Sequence, residues 1–451
     1  MKLLIISPSW LPLFWNGGKV LAPPMCLPVL ASLTPPDVDI HLVDENVEPV
    51  NLAEECDLVA ISAMTAAAPR GYEIADHFRD RGIPVIMGGM HPSAMPEEAA
   101  QHADAVIIGE AENLWPKAFA DFAAGHLQSL YRTDERPNLA NLPFPRRDLL
   151  RQDRYLVPNL VQTARGCPHA CVFCSVTPVF GRRYRFRPVD EVMEEIRSLR
   201  SRSVAFPDDN IVASPKRARE LFEAMIPLKL RWVGQGDLSM AKDEELLKLM
   251  KRAGCMAMFV GIESLSQDSL AAAHKRPNIG LDLESSIRTI HRHGIDLVGS
   301  FVFGLDTDGP NLFRETIAFA ERVKLACAQF SVLTPFPGAP IYETLKQEGR
   351  ITSYDWSQYT MGTVVYEPKN MSAAVLQAGS EWAYGRFYSL PSMARRLTVS
   401  RGGRTNWLLR GAVNFSYRRR LRGGKIADSI PGHKTAASAP AAAPKTQREP
   451  A

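Results

Sequence analysis

Three cysteines within eight residues, Cys167, Cys171 and Cys174 in the run Ala164-Arg-Gly-Cys-Pro-His-Ala-Cys-Val-Phe-Cys-Ser175, oblige the chain to build one tight loop around three thiols. A structural zinc site, or a cluster that only carries electrons, takes four Cys or His ligands, so three leave one metal position open. An open iron can bind and activate a small molecule. Asn159-Leu-Val-Gln-Thr163 before the loop reads as a short buried strand, and Gly166 and Pro168 supply the turn. A zinc knuckle completed by His169, or three unrelated thiols, are the alternatives. His169 lies inside the loop and would have to fold back on a metal held by its own neighbours.

The spacing Cys-x3-Cys-x-aromatic-Cys, with Phe173 before the last cysteine, resembles the signature of the radical S-adenosylmethionine (SAM) superfamily. That resemblance implies a 4Fe-4S cluster on the three thiolates, with the open iron chelating the methionyl amino and carboxylate groups of SAM. Reductive cleavage then yields a 5'-deoxyadenosyl radical, which calls for an external electron donor of flavodoxin or ferredoxin type.

At 451 residues the chain exceeds one ordinary core, and about 150 residues per domain suggests two or three. No apolar run reaches the roughly 18 residues that span a bilayer, and Met1-Lys-Leu-Leu-Ile-Ile runs into Ser7-Pro8 without a signal-peptide layout. Cytoplasmic residence is expected. Cys26, Cys56, Cys255 and Cys327 are scattered singly and read as reduced core thiols. Net charge is +4, yet residues 395–425 hold ten Lys or Arg and no Asp or Glu, so the rest of the chain sits at −6.

Residues 1–125 alternate short apolar runs with helical patterns, the rhythm of a doubly wound, Rossmann-like parallel sheet. Strands are expected at 3–6, 38–42, 58–62, 84–87 and 105–108. Ligands in such sheets lie outside the carboxyl ends of the strands, which puts Ser62, Thr65, Gly88, Gly89, His91, Gly109 and Glu110 in one candidate site. Gly88-Gly-x-His-Pro-Ser93 and Gly109-Glu-x-Glu112 make this region similar to the cobalamin-binding domain that precedes many radical SAM barrels. The Asp-x-His-x-x-Gly run that supplies a lower cobalt ligand in many such domains is missing, because Asp76-His77 stands at the wrong distance from Gly82. His91 is either a corrin contact or a cap on backbone groups, and a degenerate Rossmann domain that binds nothing is the competing account.

Residues 126–155 read as a linker, and residues 156–345 as a partial (β/α)6 TIM-type barrel with strands at 160–163, 204–206, 230–233, 256–260, 297–303 and 330–333. Pro188, Ser214-Pro215 and Asp243 open helices, the last closed by Gly254. Polar groups cluster at the strand ends. Phe206-Pro-Asp-Asp-Asn210 resembles the Asp-Asp-Asn version of the motif that holds the SAM amino group, through Asp208 and Asp209, although only one of the two need point inward. Gln235 and Asp237 follow the third strand, and Glu263 and Ser264 the fourth, where the family surrounds the SAM ribose and carboxylate. Gly304 and the Thr334-Pro335-Phe-Pro-Gly338 loop are placed by the resemblance beside adenine.

Residues 346–425 are expected to form a helical cap over the barrel mouth, with Trp382, Tyr384, Phe387 and Tyr388 either lining a pocket or packing as plain core. The basic segment is read as a solvated helix pair or as a peripheral contact with an anionic membrane. Nucleic acid is not the expected partner. Residues 426–451, rich in Ala and Pro, read as a disordered tail. The resemblance implies a cobalamin-dependent radical SAM methyltransferase acting on an unactivated carbon of a small-molecule or lipid-like substrate. A cyclase or oxidoreductase with the same cofactors, and a non-catalytic zinc or nucleic-acid binding protein, are the other readings.

Overall fold

The computed structural model describes residues 1–9, 21–397 and 404–422, so the expected tail lies outside the described residues. Strands β1 (Lys2–Ser7), β2 (Asp39–Asp44), β3 (Leu58–Ser62), β4 (Val85–Gly88), β5 (Ala105–Ile108) and β6 (Leu130–Arg132) form one parallel sheet in the order β2-β1-β3-β4-β5-β6. Apolar side chains fill both faces, Leu3, Ile5, Leu58 and Ala60 on one and Leu4, Ile6, Val59 and Ile61 on the other, as a parallel sheet covered on both sides requires. The strand order reverses between β1 and β3, a switch point whose crevice opens at Ser7 and Ser62. Strand β6 falls in the stretch read as linker. It is only three residues long, with Tyr131 buried between the exposed Leu130 and Arg132, too short to show a period.

The remaining linker is anchored to the barrel. Buried Glu195, on the helix Val189–Ser198, accepts from both Arg147 of the linker and Arg187.

A two-stranded antiparallel ribbon, β7 (Ala164–Arg165) with β8 (Arg185–Phe186), brackets the cysteine loop. The barrel sheet comprises β9 (Ser203–Phe206), β10 (Arg231–Gly236), β11 (Cys255–Glu263), β12 (Asp296–Phe303) and β13 (Cys327–Val332), all parallel and in chain order. The strand expected at 160–163 is reduced to a parallel bridge between Leu160 and Ala205, because the chain turns into the cysteine loop. The barrel core runs from Val161 to Tyr388 and includes Phe206, Trp232, Phe301 and Phe330.

The C-terminal helices correct the cap expectation. The helix Ala373–Phe387 lies along β13, the open edge of the barrel. The Tyr384 hydroxyl accepts from Phe330 N (3.0 Å), and the Tyr388 hydroxyl accepts from Ala328 N (3.2 Å) and donates to Ala328 O (2.8 Å). Edge-strand groups that would otherwise be left without partners are thereby satisfied. Tyr384, Phe387 and Tyr388 are thus core, and Trp382 points outward, 43% exposed. Part of the basic segment is also structural: Arg396 lies over the Phe387 ring at 3.5 Å and donates to Leu325 O and Asn414 Oδ1, each at 2.9 Å.

Candidate active site

The cysteine loop rests on two neighbours. Val172 N donates to Ala273 O (3.2 Å), Ile341 N donates to Val172 O (2.9 Å), and the Cys171 sulfur lies 3.9 Å from His274 O. Gly166 has φ +86°, and a Cβ there would sit 2.5 Å from Arg183 O, so glycine is needed where the loop crosses the chain entering β8. Phe173 packs half-buried against the barrel core.

All seven cysteines are free, and the charges of Cys167, Cys171 and Cys174 act on one another. Burial pushes all three thiols up, Cys171 to about 11, so a metal has to displace their protons to take them as thiolates. Among the described residues no three Cys, His, Asp or Glu side chains converge as closely as a bound metal ion requires. The donor set is nonetheless that of a soft-metal or iron-sulfur centre: three thiols share one loop, with a cation and carboxylates around them. The His169 ring does not turn toward the thiols to complete a zinc site. Its Nε2 faces Asp237 Oδ2 at 3.5 Å. Burial works to raise that carboxylate, but hydrogen bonds from His169, Ser239 and Asn210 hold it well below the usual range.

The two aspartates after β9 divide their work. Asp208 is fully buried and accepts from Thr163 N at 2.7 Å and from the Thr163 hydroxyl, so it ties the end of the first barrel segment to β9 and faces no ligand. At Asp209 the Gly166 backbone works against burial, and the Asp209 charge acts on Cys167 and Cys174. Burial raises both to about 6. Gln235 is half-buried at the end of β10 beside them.

Glu263 ends β11 with φ +65° and pairs with Lys275 Nζ at 2.8 Å. Lys275 escapes a reading of the sequence, because a lysine twelve residues beyond Glu263 is ordinary helix-end chemistry until the fold returns it to the loop. Burial works against its charge, but Glu263 and Cys171 raise its pKa, so it is a fixed cation facing the thiols. Ser264 is buried, and its hydroxyl accepts from Ser266 N (3.1 Å), closing a turn. Gly304 has φ +96°, and a Cβ there would meet the Tyr366 hydroxyl and, at 2.6 Å, Leu376, so glycine lets these two side chains close against the end of β12. Pro335 is buried at the base of the loop whose next residues, Phe336, Pro337 and Gly338, reach an interdomain cavity.

Two cavities lie between the domains, and both are bounded by Met64, Met90, Gly109 and Val179. One, of about 410 Å³, enters the switch point between the sheet and the helix Cys26–Ser32, past Ser62, Gly88 and Gly89, and ends against Arg165 and Phe180 on the cysteine-loop side. The other, of about 700 Å³, runs from Thr65 and Met90 to Ser175, Pro178, Phe336 and Tyr359. The small side chains at the switch point suit a flat, extended group such as a nucleotide-like cofactor tail.

His91 and Glu110 depart from the expected site. His91 is fully buried beneath it, with Nε2 3.5 Å from Glu98 Oε1 and its ring 5.2 Å from Trp356, so it offers nothing to either cavity. Glu110 borders the smaller cavity, but its oxygens accept from Arg165 (2.9 Å) and Arg185 (2.7 Å).

Fold and site together define an α/β enzyme with a nucleotide-type slot in one domain and a three-thiol centre in the next. The sequence pattern of the Radical SAM superfamily matches residues 161–320, and that of the B12 binding domain residues 29–118. The chain is 29% identical over 436 residues to the bacteriochlorophyllide d C-12(1)-methyltransferase of Chlorobaculum tepidum, covering 93% of each chain. It is 30% identical to the bacteriochlorophyllide d C-8(2)-methyltransferase of the same organism, over 78% of this chain and 84% of that one. Its fold is that of the radical S-adenosylmethionine methyltransferase TsrM from Kitasatospora setae, a structure with cobalamin and a 4Fe-4S cluster bound, at a TM-score of 0.64, 17% identity and coverage of 94% and 99%. The chain belongs to the cobalamin-binding branch of the radical SAM superfamily and to its methyltransferases. The cofactors of that family are a 4Fe-4S cluster, SAM and cobalamin. Among the described residues no helix is long and apolar enough to cross a membrane.

Proposed function

We propose that this enzyme moves a methyl group from SAM to an unactivated carbon of an apolar small-molecule or lipid-like substrate. The observation that carries the reading is the meeting of the two cavities on Met64, Met90, Gly109 and Val179, between the switch point and the cysteine loop. When bound, the cluster supplies the electron that splits SAM and cobalamin supplies the methyl carrier.

In this reading Cys167, Cys171 and Cys174 hold the cluster, and Phe173 braces their loop. Asp209 accepts from the ammonium of SAM, Lys275 faces its carboxylate, and Gln235 and Glu263 serve the ribose, which a carboxylate suits as a hydrogen-bond acceptor. Pro335 stands by the adenine, and Ser62, Thr65, Gly88, Gly89 and Gly109 border the cobalamin. The walls that Met64, Met90, Phe336 and Met361 give the larger cavity support an apolar substrate, as do relatives that act on bacteriochlorophyllide.

Electrons come from an external flavodoxin- or ferredoxin-type donor, and residence is cytoplasmic. Peripheral contact with an anionic membrane is supported by Phe415, 60% exposed among the arginines of the helix Arg404–Arg422. The test is anaerobic incubation of the reconstituted enzyme with deuterated-methyl SAM and pigment and lipid extracts of a deletion strain. A product heavier by one labelled methyl is expected; unlabelled cyclised or oxidised product would replace this reading with that of a cyclase or oxidoreductase.

A further inference from the structure

The loop after β5, Gly109-Glu-Ala-Glu112, carries two buried carboxylates. Neither is free for a ligand. Glu110 Oε2 accepts from Arg165 at 2.9 Å and Oε1 from Arg185 at 2.7 Å, while Glu112 Oε1 lies 2.5 Å from the second terminal nitrogen of Arg165. The third nitrogen of Arg165 donates to Gln162 Oε1 at 2.7 Å. Arg165 and Arg185 are paired opposite each other on β7 and β8, the ribbon from which the cysteine loop springs. Arg165 is two residues before Cys167, and Gly109 opens onto both cavities.

We propose that this four-residue clasp is a positioning device that fixes the cobalamin half of the enzyme relative to the cluster half. The inference rests on the functional reading above. The residues that would hold cobalamin and those that would hold SAM lie on different domains, so handing a methyl group from one to the other would require the domains to keep a fixed spacing. Surface ion pairs do not do this. A planar guanidinium that spans two buried carboxylates does, because it fixes distance and orientation together and cannot open without leaving buried charge unpaired.

The test uses the full chain with Glu112→Gln, which keeps shape and removes one charge of the clasp, and Glu112→Asp, which keeps the charge on a shorter arm. Two readouts are taken. With hydroxocobalamin, titanium(III) citrate as reductant and labelled-methyl SAM, methyl transfer would be read as labelled methylcobalamin and S-adenosylhomocysteine formed in equal amounts. This transfer is expected to fall at least tenfold in Glu112→Gln and less in Glu112→Asp, while 5'-deoxyadenosine release under dithionite stays within twofold of the unaltered enzyme. Equal loss of both, or of neither, overturns the proposal. Calorimetry of the cofactor-free chain is the second readout, with one unfolding transition in the unaltered protein and two in Glu112→Gln. A single unshifted transition overturns the clasp. Should the unaltered enzyme itself fail to methylate cobalamin, the functional reading fails, and calorimetry alone decides whether the arginines couple the domains.

Discussion

At the scale of single residues, the site is read most securely where chemistry restricts the choice of side chain. Three thiols in one loop admit few uses, and the structure keeps them within reach of one another's charges. The aspartates after β9 were legible as a pair, but their division was not, since only the fold decides which one meets Thr163. Burial raises Asp208 to about 6, so the folded state holds its proton more tightly than the unfolded chain does. The stability this gives is fully present below the unfolded carboxylate range and is lost as pH climbs through 6. Urea titrations at pH 4 and pH 7 should therefore show the unaltered protein losing about 2–3 kcal/mol relative to Asp208→Asn across that interval; parallel pH profiles would remove the burial argument. Lys275 gives a second test. Replacing it by Met strands the Glu263 carboxylate, which is expected to lower stability by about 3 kcal/mol and weaken SAM binding; a denaturation midpoint that does not move would show the pair to be dispensable.

Elements were legible where their pattern is long or punctuated. The helices predicted at Pro188, Ser214-Pro215 and Asp243 are Val189–Ser198, Pro215–Met225 and Glu244–Arg252, and the buried strands β3 and β5 fall where apolar runs end in small residues. Short pieces escaped. Strand β6 and the ribbon of β7 and β8 hold only two or three residues each, below the length at which periodicity speaks. The aromatic run from 381 to 390 was ambiguous because a helix covering a sheet edge and a helix lining a pocket share one pattern. Here the tyrosine hydroxyls carry the difference, since they serve β13. Tyr384→Phe leaves the buried Phe330 N–H without a partner and should cost about 1–3 kcal/mol in equilibrium unfolding, whereas a neutral result would mean that the edge finds another acceptor.

For the whole molecule, the two-domain order followed from the sequence, and the contacts that fix one domain on the other did not. They join residues far apart in the chain: Glu110 with Arg165 and Arg185, and Glu98 with the indole N–H of Trp356 at 2.8 Å. Each partner looks like an ordinary surface charge or core aromatic until the fold brings them together. Trp356→Phe removes one such bond and should lower the melting temperature by a few degrees, consistent with about 1–2 kcal/mol; an unchanged melt would show that this bond adds nothing to the junction. The claim on which the rest depends is that three thiols hold a cluster that splits SAM. Anaerobic reconstitution with iron and sulfide, followed by SAM and dithionite, measures it as 5'-deoxyadenosine released per chain. The unaltered enzyme should release it and Cys167→Ala should not, with the fold retained by circular dichroism; release that survives in Cys167→Ala, or a colourless zinc-loaded protein that leaves SAM intact, would contradict the account.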